Sequence, residues 1–70
     1  MKLKNMRIGS HLHQKDGLFD RTLRKIGSGK FVAEVETLST GKCYIRDMDI
    51  EQATNFFEHH GGPEKWEAQK

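Results

Sequence analysis

The chain has 70 residues, of which 34% are hydrophobic and 31% charged, and its formal net charge is +2. A chain this short buries only about 60% of its unfolded surface, so we expect one domain, residues 1–70, with a thin core that a second chain could extend. Its single cysteine, Cys43, excludes an internal disulfide and a cysteine-based zinc site, and no apolar run approaches the roughly 20 residues of a membrane helix. We therefore expect a soluble, cytoplasmic protein.

The first thirty residues give mixed signals. Residues 3–8 predict a short strand, and residues 11–17 predict a polar connection that closes on an Asp-Gly turn. Residues 18–26 fit either a helix, by the spacing of their apolar side chains, or a strand that turns at Gly27-Ser28-Gly29 into the next one. We predict a strand, because a short glycine-rich connection usually pairs the two segments that it joins.

The next segment predicts a β-hairpin. From Lys30 to Leu38 β-forming residues alternate with more polar ones, which places Glu34 and Glu36 on one face. The turn Ser39-Thr40-Gly41-Lys42 leads into a second strand, residues 42–48, with apolar residues on both faces. This second strand is therefore predicted to be central or flanked by a helix, with Cys43 as a small packed residue.

A capped helix follows the hairpin directly. Asp49 and Gln52 form a capping-box pair, so the helix is expected to begin near Ile50 and to end at Gly61. Ile50, Ala53, Thr54 and Phe57 make an apolar stripe that should lie on the sheet, with Phe56 packing at its flank. The predicted hairpin-plus-helix core is residues 30–61.

The tail predicts a short helical segment over residues 63–69, because Pro63 suits a first helical position. Trp66 is expected to cover the end of the core. Together the elements predict an α+β fold, with a small antiparallel sheet of three to four strands and one main helix packed on one face.

The sequence contains no recognised motif for catalysis or for metal binding. Two of the four histidines, His11 and His13, would share a strand face, but the adjacent pair His59-His60 would point about 100 degrees apart on a helix. There is no His-Glu-x-x-His pattern, no nucleophile motif and no phosphate-binding loop. We predict a protein that is not an enzyme and that takes no cofactor or metal.

The charge is unevenly distributed along the chain. Residues 1–30 carry eight basic and two acidic residues, a net charge of +6, whereas residues 31–70 carry four basic and eight acidic residues, a net charge of −4. The basic half suggests a small nucleic-acid-binding module, although aromatic residues for base stacking are few. Its phosphate contacts would be Arg21, Arg24, Lys25 and Lys30.

A family resemblance lies in the same hairpin and helix. The segment Gly29–Glu36, the Gly41-Lys42 turn, Arg46-Asp47-Met48-Asp49 and the helix through Phe56-Phe57 resemble a family of small phage anti-CRISPR proteins that block the type I-F surveillance complex. Met1-Lys2 and His11-Leu12 fall at similar places. The resemblance covers about half of the chain.

The resemblance implies a compact antiparallel sheet with helices on one face and a non-enzymatic inhibitor. In that family the sheet face docks on the repeated backbone subunit of the RNA-guided complex and prevents target DNA from pairing with the guide. Glu36 falls where the family has a contact glutamate. Two tyrosines that accompany this glutamate are replaced here by Met6 and Lys25.

The leading hypothesis is therefore a phage-type inhibitor in the host bacterial cytoplasm that binds a nucleoprotein complex. Its expected polar contacts are Glu36, Glu34, Lys25 and Lys30. The alternatives are the nucleic-acid-binding module, a phage inhibitor of another host machine such as RNA polymerase, and a structural phage component. A monomer and a small homo-oligomer both fit the sequence.

Overall fold

The structure, a computed structural model, describes residues 3–69 and consists of one antiparallel sheet and one α-helix on one of its faces. The strands are β1 (His11–Lys15), β2 (Phe19–Gly27), β3 (Lys30–Thr37), β4 (Cys43–Asp49) and β5 (Glu67–Gln69), and the helix is α1 (Ile50–His59). The strand order is β4-β3-β2-β1-β5. The predicted α+β class is confirmed, but the sheet has five strands rather than three to four.

The two unpredicted strands are β1 and β5. In β1, the inward-facing positions are Leu12 and Gln14, and the polar Gln14 hides the alternation that marks a strand. The tail was expected to be helical over residues 63–69, yet it forms only a 3-10 helix at Gly62–Glu64 before β5 pairs with β1. The strand expected at residues 3–8 is wrong, because this segment contains a 3-10 helix, Leu3–Asn5.

The central strand β2 confirms the choice of strand over helix for residues 18–26. It pairs with β1 on one side and β3 on the other. Arg21 and Lys25 occupy its helix-covered face together with Leu23, which explains why its apolar residues do not alternate cleanly. The β2–β3 connection turns at Gly29, whose φ of 66° is favourable for glycine.

The hairpin β3–β4 and the helix cap agree with the sequence predictions. The Asp49 carboxylate accepts a hydrogen bond from the Gln52 N–H (2.8 Å), and the Gln52 side-chain oxygen accepts one from the Asp49 N–H (3.0 Å). Of the two alternatives for β4, the central position is wrong, because β4 is an edge strand, whereas the flanking helix is confirmed, because α1 contacts β4. The expectation that Cys43 is packed is corrected, since Cys43 is exposed.

The core lies between α1 and one sheet face. Its buried side chains are Leu3, Leu12, Leu23, Phe31, Ala33, Ala53, Phe57 and Trp66. Trp66 closes one end of the core, as expected, and its indole N–H donates a hydrogen bond to the carbonyl of Phe57 (3.0 Å). Phe56 packs at the flank with its ring centroid 5.7 Å from that of Trp66, which confirms its predicted position.

Candidate partner-binding face

The sheet face opposite α1 is not covered by any helix of residues 3–69, and we call it the open face. The strand registers show which residues belong to this face, since residues opposite each other in an antiparallel sheet point to the same side. Its members on the four longest strands are His11, His13, Lys15, Asp20, Thr22, Arg24, Lys30, Val32, Glu34, Glu36, Cys43, Ile45, Asp47 and Asp49.

Five carboxylates lie on the open face of the three strands β2, β3 and β4, namely those of Asp20, Glu34, Glu36, Asp47 and Asp49. Asp20 and Glu36 are directly opposite each other across β2 and β3. Asp20 is hydrogen-bonded to the imidazole of His13, and Glu34 lies 3.4 Å from the guanidinium of Arg24. Within residues 3–69, Glu36 makes no ion pair, so its carboxylate is free to bind a cation outside the chain.

A shallow depression of about 400 Å³ lies over the carboxylates of Asp20, Glu34 and Glu36. Its polar lining comes from His13, Asp20, Thr22, Glu34 and Glu36, and the β4 edge contributes Cys43, Tyr44 and Ile45. Ile45 is 67% exposed beside it. An acidic depression with an exposed apolar side chain at its rim is suited to a projecting basic side chain of a partner protein.

The predicted contacts Glu34, Glu36 and Lys30 all lie on the open face, but Lys25 does not. Lys25 is on the helix-covered face and only 7% exposed. Its ammonium donates hydrogen bonds to the carbonyls of Lys4 (3.0 Å) and Leu3 (3.5 Å). Lys25 therefore holds the N-terminal 3-10 helix on the core and is removed from the partner-binding set.

The alternative basic set is divided between the two faces. Arg21 is 8% exposed on the helix-covered face, where its guanidinium donates hydrogen bonds to Gln14 (2.9 Å) and Asp16 (2.5 Å). Arg24 and Lys30 are exposed on the open face, amid its carboxylates. The predicted phosphate contacts Arg21, Arg24, Lys25 and Lys30 consequently do not form one basic surface.

The Arg21–Asp16 pair stabilises the β1–β2 turn. The Arg21 guanidinium, together with the backbone N–H groups of Leu18 and Phe19, lowers the pKa of Asp16 from 3.8 to about 2. The same two N–H groups hydrogen-bond to the Asp16 carboxylate at 2.9 and 2.8 Å. Asp16 thus has a structural role, and it holds β1 in register with β2.

The histidines form no common site. His11 and His13 share a strand face, as predicted, and this is the open face, whereas His59 and His60 lie at the end of α1, their rings 5.9 Å apart. Burial lowers the pKa of His60, and the nearby charges of Arg21 and His59 add to this effect. Among residues 3–69, no three histidine, cysteine or acidic side chains are arranged to hold a metal ion.

Sequence reasoning missed Asp20, His13 and Ile45 as members of this face. Asp20 belongs to it because Lys15 pairs with Asp20, and that register is set by the tight turn at Asp16-Gly17. The Asp-Gly signal was visible in the sequence, but without β1 it had no second strand to align. Ile45 lies on the same side of β4 as Cys43, and its exposure follows from the edge position of β4.

The fold and this face define a small α+β protein with one covered and one open sheet surface. No protein-family model, curated protein or solved structure matches the chain. Its helix α1 has ten residues, and no helix in the described part of the chain is long and apolar enough to cross a membrane. Met1 and Lys2, which contribute to the anti-CRISPR resemblance, lie outside the described residues.

Proposed function

We propose that this protein is a non-enzymatic, phage-type inhibitor whose open face binds a basic surface of a host nucleoprotein complex. The target indicated by the sequence resemblance is a type I CRISPR surveillance complex, whose recognition of target DNA would be blocked. The observation that carries the proposal is the direct opposition of Asp20 and Glu36 on an exposed sheet face.

Like charges directly opposite each other on neighbouring strands destabilise a sheet, typically by a few tenths of a kcal/mol up to about 1 kcal/mol. Asp20 is hydrogen-bonded to His13 and lies opposite Lys15 on its other side, but Glu36 has no ion pair within the described residues. A lysine or arginine from a partner, placed over Glu36 beside Asp20, would convert this repulsion into charge-assisted hydrogen bonds. The face is thus better suited to a bound state than to the free protein.

The surfaces of nucleoprotein complexes that hold nucleic acid are rich in lysine and arginine. An acidic sheet face that binds such a surface occupies the place of the nucleic-acid phosphates. Inhibition then requires no chemistry, only affinity and overlap with the nucleic-acid path. This agrees with a chain in which no catalytic motif was found.

The same geometry weighs against the nucleic-acid-binding alternative. Phosphate contacts require exposed basic side chains, yet Arg21 and Lys25 are engaged in buried hydrogen bonds. Arg24 is paired with Glu34, and Lys30 shares its face with Glu34 and Glu36. This face would repel a phosphate backbone.

The test is a competition experiment with a purified type I surveillance complex and fluorescently labelled target DNA. Increasing concentrations of the protein should reduce DNA binding, and Glu36→Arg should abolish this inhibition. Glu36→Ala should weaken binding of the protein to the complex by about 2 to 5 kcal/mol, the usual loss when one partner of an interfacial ion pair is truncated. The matched control is Glu58→Arg, the same charge change on an exposed position of α1.

Two outcomes would contradict the proposal. In the first, DNA binding by the complex is unaffected, and the same competition with RNA polymerase and its promoter DNA then tests the other host machine. In the second, Glu36→Arg and Glu58→Arg inhibit equally well. Binding of the free protein to mixed-sequence DNA or RNA that falls steeply with salt would instead favour the nucleic-acid-binding module.

A further inference from the structure

Within residues 3–69, β4 pairs with β3 alone, so the other side of its seven residues is free. The Thr37 N–H donates to the Lys42 carbonyl (2.8 Å), so in the alternating antiparallel pattern the backbone groups of Tyr44, Arg46 and Met48 also face β3. Those of Cys43, Ile45 and Asp47 point away from the sheet. The β3–β4 register is continuous, and β4 has no proline, so no bulge or proline blocks a further strand.

A large, exposed apolar side chain lies beside this edge on each face of the sheet. Tyr44 is 57% exposed on the helix side, and Ile45 is 67% exposed on the open face. Arg46, also exposed, lies on the same side as Tyr44. An edge strand that combines free backbone groups with exposed large apolar residues is a template for another strand.

We propose that β4 pairs antiparallel with β4 of a second copy of this chain, about a two-fold axis that is perpendicular to the sheet and passes through the Ile45 pair. Ile45 then lies opposite Ile45 of the second copy, and Tyr44 lies opposite Arg46 of the second copy. The outward backbone groups of Cys43, Ile45 and Asp47 supply about six hydrogen bonds between the two chains.

Charge complementarity selects this register over its neighbours. A two-fold axis at Arg46 would place two arginines opposite each other, and an axis at Asp47 would do the same with two aspartates. An axis at Tyr44 would place Lys42 opposite Arg46. With the axis at Ile45, no like charges oppose each other within the strand, Cys43 faces Asp47, and each Tyr44 ring lies beside an arginine in a cation–π arrangement.

The resulting dimer has one continuous ten-stranded sheet, because this axis keeps both open faces on the same side. The pairing uses the edge and leaves the open-face carboxylates of Asp20 and Glu36 uncovered. Ile45 also lies at the rim of the depression over Glu36. The two proposals are tested separately, because the competition experiment changes Glu36 and the sedimentation experiment changes Ile45, so either one can fail without the other.

The first test is sedimentation velocity of the full chain over a wide concentration range. The average mass should rise from 8.1 kDa toward twice that value as the concentration increases. Ile45→Lys should remain monomeric, because a lysine at the centre of the pairing brings two ammonium groups together. Leu18→Lys is the matched control, since Leu18 is equally exposed, at 67%, but lies in the β1–β2 turn.

A wild-type chain that stays monomeric at millimolar concentration would overturn the proposal. So would an Ile45→Lys variant that dimerises as well as the wild type. The intrinsic fluorescence of the single buried tryptophan, Trp66, verifies that each variant is folded.

The second test determines the register. Opposed residues in a hydrogen-bonded antiparallel pair have Cα atoms about 5.5 Å apart, within the range that a disulfide bridges. Oxidation of Cys43→Ser/Ile45→Cys should therefore give a covalent dimer, as should Asp47→Cys through the native Cys43. The control Cys43→Ser/Leu18→Cys should cross-link far more slowly, and equal rates in all three variants would contradict the proposed register.

Discussion

Asp20 and Glu36 lie directly opposite each other on the two central neighbouring strands β2 and β3, with both side chains on the uncovered side of the sheet. Most cross-strand pairs on this face are neutral or complementary, as with Thr22 opposite Glu34. The Asp20–Glu36 pair instead brings two negative charges together. Under the proposed function, this pair is therefore the place where the demands of folding and of partner binding differ most clearly.

Removing one of these charges should stabilise the free protein. We expect Glu36→Gln to raise the free energy of unfolding by about 0.2 to 1 kcal/mol at neutral pH, because the cross-strand repulsion disappears. Urea unfolding followed by Trp66 fluorescence measures this change. A double-mutant cycle with Asp20→Asn isolates the Asp20–Glu36 coupling from the His13 contact, and a coupling of zero would show that the two carboxylates do not repel each other.

Lys25 should matter for stability and not for partner binding. Lys25→Met retains the apolar stem but removes the ammonium that binds the Leu3 and Lys4 carbonyls. We expect a loss of about 1.5 to 3 kcal/mol in the free energy of unfolding, the range for hydrogen bonds to charged groups. Lys42→Met, in the exposed β3–β4 turn, is the control for loss of a positive charge, and a similar loss in both variants would contradict the anchoring role.

The capping box of α1 should make a measurable contribution to the free energy of unfolding. Asp49→Ala removes the acceptor for the Gln52 N–H, and we expect it to lower the free energy of unfolding by about 0.5 to 2 kcal/mol. Asp49→Ser retains a side-chain acceptor and should recover most of that loss. Circular dichroism during thermal unfolding distinguishes the two variants, which would melt at the same temperature if the cap were unimportant.

Acid should weaken the β1–β2 turn through Asp16. Because folding lowers the pKa of Asp16 from 3.8 to about 2, the folded state binds this proton less readily than the unfolded state. The stabilisation is fully present above about pH 4 and is lost as the pH falls toward 2. Melting temperatures of wild type and Asp16→Asn should therefore converge over this interval, and a constant difference would contradict the pKa assignment.

The parts of the fold that were predictable are those with local signals. Asp49 and Gln52 define a helix start by side chains three residues apart, and Gly41, with a φ of 73°, defines a turn. The face shared by Glu34 and Glu36 follows from strand alternation alone. These signals require no knowledge of the rest of the chain.

The rest of the fold depends on contacts between residues that are far apart in the sequence. From the sequence alone, Lys25 is expected to be a cation at the surface, but its hydrogen-bond partners are carbonyls more than twenty positions earlier in the chain. Arg21 and Gln14 likewise take inward positions because each satisfies the other. Long polar side chains at core-facing positions conceal strand alternation, which is why β1 was missed, and the assignment of Lys25 to the partner-binding set failed for the same reason.

The pairing of β5 with β1 has a further consequence, for the order of folding. All other strand pairs join segments that follow each other in the chain, whereas Leu12 pairs with Ala68 near the opposite end. Closing that longest loop costs the most chain entropy, so β5 should dock after the β1–β4 meander has formed. In the described part of the chain, β5 has only three residues. Its amide protons should accordingly exchange with solvent through a local opening that leaves the other four strands and α1 intact.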